Sequence, residues 1–142
     1  MKRANKHNAR RHYAIVGDQM CRFDSMAEHR YADWLERERK ARRIVRWQHH
    51  PEALEVVDAL SQERLCRMEV DFLVVRADGF EWHEVKGMAT AAWRLKRRML
   101  EVLTAHVYVV IDAGRGVCAT GEGEPALFDE RPRRRRRAKA KK

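Results

Sequence analysis

Three charged residues near the middle of the chain have the types and spacing needed to hold a divalent cation beside a phosphate. Asp71 lies in a stretch of alternating apolar and polar residues, and Glu84 and Lys86 lie in the next stretch, after the dipeptide Asp78-Gly79. Alternation with a period of two indicates β-strands, and an Asp-Gly pair between two such stretches is typical of a hairpin. We therefore expect the three side chains to lie on neighbouring antiparallel strands.

The hairpin predicts how these side chains face each other. If Asp78 and Gly79 are the central residues of the turn, counting back along both strands places Asp71 opposite Lys86. Glu84 then lies diagonally from Asp71, with about 7 to 8 Å between their Cα atoms, and all three side chains project from one face. Two carboxylates at this separation can share one Mg²⁺ ion, which prefers oxygen ligands and keeps several waters.

The chemistry that this arrangement predicts is metal-assisted hydrolysis of a phosphodiester. A bound cation lowers the pKa of water, and Lys86 can orient that water or balance the charge that develops on the phosphorus group. The backbone carbonyl of Val85 can complete the coordination. The structural alternative is an ordinary cross-strand pair between Asp71 and Lys86, worth about 0.2 to 1 kcal/mol, and spacing alone leaves both readings open.

A fourth carboxylate, Glu28, lies on a predicted helix over residues 24–43. The apolar residues of this helix recur at helical spacing, and Glu28 falls on the same face as Tyr31 and Leu35. That face packs on the sheet, so a carboxylate there needs a partner. Glu28 is either a metal ligand or the closing residue of a capping box that begins at Ser25, and both roles are compatible.

The remaining elements predict an α/β fold. The stretch 66–75 and the stretch 80–86 form the hairpin, and apolar residues at 107–111 indicate a strand that is buried on both faces. The inward face of a second helix is predicted to carry Ala92, Leu95, Met99, Val102 and Leu103. The other predicted elements are short strands at 44–47 and 54–57, that second helix at 90–103, and an edge strand at 117–119.

The charge of the chain lies at its two ends. The net charge is +10, yet residues 1–12 contain five basic residues and no acid, and residues 131–142 contain nine basic residues and no acid. The middle of the chain is slightly acidic. Basic ends favour a polyphosphate partner, because each neutralised phosphate releases counterions, although a solubilising tail is an equally open reading. We expect a basic arm at 1–22, one domain at 23–120 and a basic disordered tail at 121–142.

Cysteine usage and hydropathy predict a cytoplasmic protein. The three cysteines are widely spaced, without a Cys-x-x-Cys pair, so the sequence indicates neither a disulfide framework nor a zinc knuckle. His49, His50, His83 and His106 show no spacing typical of zinc ligands. No apolar run approaches the roughly 20 residues of a membrane span, so no membrane partner is expected.

The residues discussed above resemble a known family when they are taken in order. Phe23-Asp24-Ser25-Met26-Ala27-Glu28, Trp47-Gln48, Val70-Asp71-Phe72, Glu84-Val85-Lys86-Gly87 and Arg94-Leu95-Lys96 resemble the phage-borne, Holliday-junction-resolvase-like endonucleases of the PD-(D/E)XK superfamily. The resemblance covers residues 23 to about 111. Val70 stands where the signature has Pro. Transposon end-cleaving nucleases have a similar layout, but those that this chain resembles tend to carry Gln where Glu84 stands.

The resemblance implies a restriction-endonuclease-like αβββαβ core and Mg²⁺-dependent cleavage of DNA, with Mn²⁺ expected to substitute. It implies Asp71, Glu84 and Glu28 as metal ligands and Lys86 as the catalytic lysine. A bacterial or phage-encoded protein that acts on junctions or branched DNA is the expectation, and symmetric cleavage of two strands would need a homodimer. The alternatives are a non-catalytic nucleic-acid-binding protein and a nuclease subunit of a transposition or packaging complex.

Four further residues are candidates for contact with nucleic acid. Arg94, Lys96 and Arg97 follow the active strand by about one turn of helix and can hold the phosphate backbone; a solvated helix face is the alternative. Gln48 matches a glutamine of the related nucleases, which the resemblance places near the active site.

Overall fold

The computed structural model of the protein describes residues 10–129. Eight strands and three helices are formed within this range. In chain order they are β1 (His12–Val16), β2 (Gln19–Phe23), α1 (Met26–Lys40), β3 (Arg46–His49), β4 (Leu54–Val57), β5 (Arg64–Met68), β6 (Phe72–Arg76), β7 (Gly79–Lys86), α2 (Ala91–Leu103), β8 (Tyr108–Asp112) and α3 (Val117–Thr120).

The central sheet has four strands in the order β3-β6-β7-β8. The first three strands are antiparallel neighbours, whereas β7 and β8 run parallel and are connected through α2. Without the separate β4-β5 hairpin, the order α1, β3, β6, β7, α2, β8 is αβββαβ. The predicted α/β fold with a mixed sheet and flanking helices is therefore confirmed, and it is compatible with a restriction-endonuclease-like core.

The two faces of the sheet are covered by different elements. Helix α1, the β1-β2 hairpin and α3 enclose one apolar cluster, and α2 with the β4-β5 hairpin encloses the other. Alternate residues of the strands supply the two clusters, as the period of two requires. The first cluster includes Phe23, Tyr31, Leu35, Trp47 and Phe72. The second includes Leu54, Met68, Trp93, Leu100 and Val110.

Helix α1 begins where the sequence indicates. Ser25 is the N-cap residue, and its hydroxyl accepts a hydrogen bond from the Glu28 backbone N–H at 3.2 Å, which satisfies one of the free donors of the first turn. The helix is shorter than the predicted 24–43, because it ends at Lys40 and Arg42 adopts a left-handed backbone conformation with φ of 61°.

Part of the predicted basic arm is folded. Residues 12–23 form the β1-β2 hairpin, whose inner residues Val16, Cys21 and Phe23 are buried against α1. The hairpin was not recognised in the sequence because both strands have only five residues and are flanked by charged residues. The prediction of an arm over 1–22 is therefore wrong for residues 12–22, and residues 1–9 lie outside the described residues.

The region after β8 also differs from prediction. The expected edge strand at 117–119 is the short helix α3, which packs against α1 and buries Val117 and Cys118. Residues 126–128 lie beside β8, where the Phe128 N–H donates to the Val110 carbonyl at 2.9 Å. The predicted disordered tail is therefore ordered up to residue 129, and the basic run at 131–142 lies outside the described residues.

Two further predictions were wrong in detail. The stretch 66–75 is two strands rather than one, because the chain leaves the β4-β5 hairpin after Met68 and enters the central sheet at Phe72. In α2, Leu95, Val102 and Leu103 are exposed, whereas Trp93 and Leu100 are buried. The predicted face carries five apolar residues, but the face that packs is the one that carries the larger Trp93 ring.

Within residues 10–129, no helix is long and apolar enough to cross a membrane. The three cysteines, Cys21, Cys66 and Cys118, are buried and free.

Candidate active site

The β6-β7 hairpin brings Asp71 level with Glu84. Phe72 pairs with His83, so Asp71, one residue before the strand, comes opposite Glu84 and not opposite Lys86. The sequence register was wrong by two residues, because Ala77 and Asp78, rather than Asp78 and Gly79, are the central residues of the turn. A shift of two preserves the face of every side chain, so the predicted grouping of three side chains on one face survives this correction.

Asp71 is held in a half-buried position at the start of β6. Its carboxylate accepts a hydrogen bond from the Val85 backbone N–H at 2.9 Å, and its own carbonyl accepts one from the His50 N–H at 2.8 Å. Burial raises the pKa of the Asp71 carboxyl well above its usual range, and the negative charges of Glu28 and Glu84 raise it further. Three carboxylates thus gather at this end of the sheet.

Glu84 is buried and is held by three side-chain donors. The Lys86 ammonium lies 3.0 Å from Oε1, while Oε2 accepts from the Trp93 indole N–H at 3.2 Å and from the Tyr108 hydroxyl. The Lys86 ammonium also lies 4.9 Å from the centre of the Trp93 ring, within the range of a cation-π contact. Lys86 is therefore fixed between a carboxylate and an aromatic face, with its side chain about one quarter exposed (23%).

Sequence reasoning missed the roles of Trp93 and Tyr108. Trp93 is buried, and its N–H also bonds the candidate catalytic glutamate. Tyr108 reaches Glu84 because β8 lies parallel to β7, with Tyr108 level with Trp82. A buried strand with a single tyrosine was the only signal in the sequence, and the parallel register that places this hydroxyl is set by α2 and cannot be counted as a hairpin register can.

Glu28 points away from its own helix cap. The first half of the capping box forms, but the Glu28 carboxylate lies 3.5 Å from the Asp24 N–H and does not close the box on Ser25. Its atom Oε2 lies 3.5 Å from Nε2 of His49 and 3.9 Å from Nε2 of His50. Glu28 is therefore shared between the carboxylate site, which we define as Glu28, Asp71, Glu84 and Lys86, and two histidines.

The two histidines form a stacked pair at the end of β3. Their ring centres are 3.7 Å apart, with planes inclined by 28°, and the His49 ring also packs against Phe23 and Phe72. The side chain of His49 is 5% exposed. Burial lowers the pKa of His50, and the neighbouring His49 lowers it further. No zinc-ligand spacing is visible in the sequence around these histidines, because Glu28, the partner that completes the group, lies on another element.

His83 has a structural role. It lies on the face opposite Glu84, is 3% exposed, and its ring joins the Tyr31 hydroxyl at 2.6 Å and Glu81 at 2.7 Å. Burial lowers the pKa of its imidazole. His83 therefore belongs to the packing of α1 on the sheet.

The four residues predicted to contact nucleic acid lie on two elements, α2 and β3. Arg94 and Lys96 are exposed on α2, whereas Arg97 is half-buried, lies 5.5 Å from the centre of the Trp93 ring and pairs with Glu101 at 2.8 Å. Arg97 therefore contacts Trp93, whose N–H bonds Glu84 of the carboxylate site. Gln48 is exposed on β3, where it lies opposite Leu73, and no contact of its side chain with the carboxylate site is formed within the described residues.

The fold and the carboxylate site define an α/β protein with three carboxylates and one ammonium at one end of a mixed sheet. The chain belongs to the DUF1064 family, described as proteins of unknown function, which matches residues 5–111. This span includes the whole carboxylate site and both stacked histidines. No curated protein and no solved structure matches the chain.

Proposed function

We propose that the protein is a metal-dependent DNA endonuclease whose catalytic core is Asp71, Glu84 and Lys86. The observation that carries this proposal is the charge of the carboxylate site. Three carboxylates, of which Glu28 and Glu84 are buried and Asp71 is half-buried, lie near one ammonium, and the pKa of Asp71 is raised by burial and by its two acidic neighbours. When all three carboxylates are ionised, one divalent cation would neutralise the excess of two negative charges.

The donor set consists of oxygen atoms, which are the ligands that Mg²⁺ prefers. Asp71 and Glu84 offer carboxylate oxygens from adjacent strands, Glu28 offers a third, and the Val85 carbonyl is the predicted backbone ligand. Hard cations of this kind prefer oxygen ligands, and Mn²⁺ shares that preference. When bound, the cation would supply Lewis acidity to the phosphate and would help to ionise water.

The chain's own residues would orient the reaction. Lys86, fixed by Glu84 and the Trp93 ring, would present an ammonium to the negative charge that develops on the phosphate. Trp93 and Tyr108 hold the Glu84 carboxylate in one orientation. Arg94, Lys96 and Arg97 on α2 would hold the DNA backbone, and the basic residues at both chain ends would add affinity that falls with salt.

The resemblance to Holliday-junction-resolvase-like endonucleases supports branched DNA as the substrate. It also supports a homodimer that cuts two strands symmetrically. Cleavage of labelled linear, nicked, flapped and four-way-junction DNA, with Mg²⁺, Mn²⁺ or EDTA, tests both points when the oligomeric state is measured by sedimentation under the same conditions. We expect Mg²⁺-dependent cutting with a preference for the junction.

Matched variants connect any cutting to the proposed site. Glu84→Gln should abolish cleavage and leave salt-dependent DNA binding intact, whereas Glu55→Gln, at an exposed carboxylate in β4, should cleave as the wild type does. Tight binding without cleavage of any substrate would instead favour a non-catalytic binding protein. Cleavage that appears only after a second protein is added would favour a subunit of a larger complex.

A further inference from the structure

The side chains of Glu28, His49 and His50 converge from two elements on one small volume. Glu28 lies in the first turn of α1, and the histidines lie at the end of β3 and in the turn that follows it. One ligand atom from each residue lies within 4.8 Å of the other two. The His50 backbone has a φ of 48°, in the left-handed region, and its N–H is fixed to the Asp71 carbonyl. This backbone conformation and hydrogen bond fix the position of His50 next to Glu28.

The distances match those between ligands of one transition-metal ion. Nitrogen and oxygen ligands lie about 2.0 to 2.2 Å from Zn²⁺ in a tetrahedral arrangement, so two ligand atoms are about 3.4 Å apart. The Glu28 Oε2 atom lies 3.5 Å from Nε2 of His49 and 3.9 Å from Nε2 of His50. A movement of about half an ångström or less would bring each Glu28–histidine pair to the separation that a shared ion needs, and all three ligand atoms lie within 4.8 Å of one another.

The Nε2 atom of His49 supplies a second, independent observation. It is a buried polar atom without a hydrogen-bond partner among residues 10–129, and the whole His49 side chain is 5% exposed. Buried polar groups are almost always satisfied, and an unsatisfied one costs about 1 to 3 kcal/mol. The atom faces Glu28, at a distance that is longer than a good hydrogen bond but suits two ligands of one ion.

We propose that Glu28, His49 and His50 form a binding site for a divalent transition-metal ion that prefers imidazole, with Zn²⁺ as the test ion. Two imidazole nitrogens and one carboxylate oxygen are a donor set that such ions bind well and that Mg²⁺ does not favour. The site adjoins the carboxylate site through Glu28 and differs from it in chemistry. It does not depend on the protein being a nuclease.

Zinc binding by the full-length, metal-free protein tests this proposal directly. Titration calorimetry with Zn²⁺ should show one tight site per chain, and Co²⁺ should give visible d–d absorption bands that Zn²⁺ removes. Millimolar Mg²⁺ should displace neither ion. His50→Ala, at the more exposed histidine (45%), should weaken Zn²⁺ binding at least tenfold and remove the Co²⁺ bands, and His49→Gln should do the same.

Two controls keep the outcome interpretable. His106→Gln removes an imidazole that contacts Trp82 outside the cluster, and it should bind Zn²⁺ as the wild type does. Asp71→Asn should abolish DNA cleavage if the proposed function is correct, yet it should retain the Zn²⁺ site. Circular dichroism of each variant reports whether it is folded.

Three results would overturn the proposal. They are no tight Zn²⁺ site in the wild type, equal Zn²⁺ affinity in the wild type and in folded His50→Ala, and loss of the site in Asp71→Asn. The last result would place the ion among the carboxylates. Failure of DNA cleavage in the wild type would count against the proposed function alone and would leave the zinc measurement unaffected.

Discussion

Helix α1 carries two buried glutamates, one near each end, and their surroundings are opposite in character. Glu36 accepts hydrogen bonds from the Trp47 indole at 3.0 Å and from two nitrogens of Arg39 at 2.9 and 2.6 Å. The bonds from Arg39, and then that from Trp47, lower the pKa of Glu36 to about 2 even though its burial opposes this. This carboxylate is fully compensated by its neighbours.

At the other end of the helix, Glu28 adds a negative charge to a site that already contains the carboxylates of Asp71 and Glu84. Its neighbours are two imidazoles and Asp71, whose pKa is raised by burial, by Glu28 and by Glu84. A carboxylate that its neighbours compensate stabilises the fold, whereas a carboxylate whose pKa is raised by burial and by like charges, such as Asp71, is held at a cost in stability. The comparison indicates that Glu36 stabilises the fold, and it supports the proposal that the carboxylate site binds a cation.

The largest expected effect is on catalysis at Lys86. Lys86→Ala removes the only ammonium in the carboxylate site, so we expect the rate of Mg²⁺-dependent DNA cleavage to fall at least about 100-fold, the usual scale for a catalytic group. Single-turnover cleavage of a labelled junction measures this. Lys40→Ala, at the exposed end of α1, is the matched control, and an equal loss in both variants would point to lost DNA affinity.

The next largest effect is on stability, when the compensated glutamate, Glu36, is removed. Glu36→Ala leaves the buried Trp47 N–H without its acceptor and Arg39 without its carboxylate, so the free energy of unfolding should fall by about 2 to 4 kcal/mol. Urea unfolding followed by tryptophan fluorescence measures the change. Glu55→Ala removes an exposed ion pair with Arg64 and should cost less than about 1 kcal/mol. Similar losses of stability in the two variants would contradict the assignment of Glu36 as a carboxylate that stabilises the fold.

The contribution of Glu36 should depend on pH in a defined direction. Its pKa falls from 4.5 to about 2 on folding, so the stability that it provides is complete above pH 4.5 and is lost as the pH falls towards about 2. The difference in unfolding free energy between the wild type and Glu36→Gln should therefore shrink over this window. Unfolding curves at several pH values measure it, and a constant difference would show that ionisation of Glu36 is not involved.

The smallest effect has the opposite sign. Asp71 has a raised pKa in the folded protein, so its contribution to stability is most favourable below its unfolded pKa and declines as the pH rises above that value. At neutral pH and without divalent cations, Asp71→Asn should therefore increase the free energy of unfolding by about 0.5 to 2 kcal/mol. Thermal unfolding in EDTA tests this, and a destabilised variant would mean that Asp71 is structurally compensated after all.

The sequence was most informative where local pattern decides structure. The capping residue Ser25, the α1 and α2 helices and the hairpin around Asp78 follow from spacing within a few residues. The turn was misplaced by one residue, which shifted the pairing by two positions, yet alternation still grouped Asp71, Glu84 and Lys86 on one face. The face on which a side chain lies depends only on whether its position in the strand is odd or even. The residue that lies opposite it on the next strand depends on which turn conformation is most stable.

The parts that could not be predicted depend on contacts between distant elements. Tyr108 reaches Glu84 through a parallel pairing, and His49 and His50 meet Glu28 only because α1 packs over the end of β3. The prediction for α2 was wrong because the helix packs through the large ring of Trp93, and its Leu95, Val102 and Leu103 side chains remain exposed. Tertiary packing selects among faces that the sequence leaves nearly equal.

The most direct test of the central proposal is cleavage by Asp71→Asn measured beside its stability. Wild-type protein and variant are incubated with a labelled four-way junction in Mg²⁺, and both are unfolded thermally with and without Mg²⁺. We predict a variant that is folded, at least as stable as the wild type in EDTA, not stabilised by Mg²⁺ and unable to cleave. Mg²⁺-dependent cleavage at the wild-type rate by folded Asp71→Asn would contradict the assignment of this site as a nuclease centre.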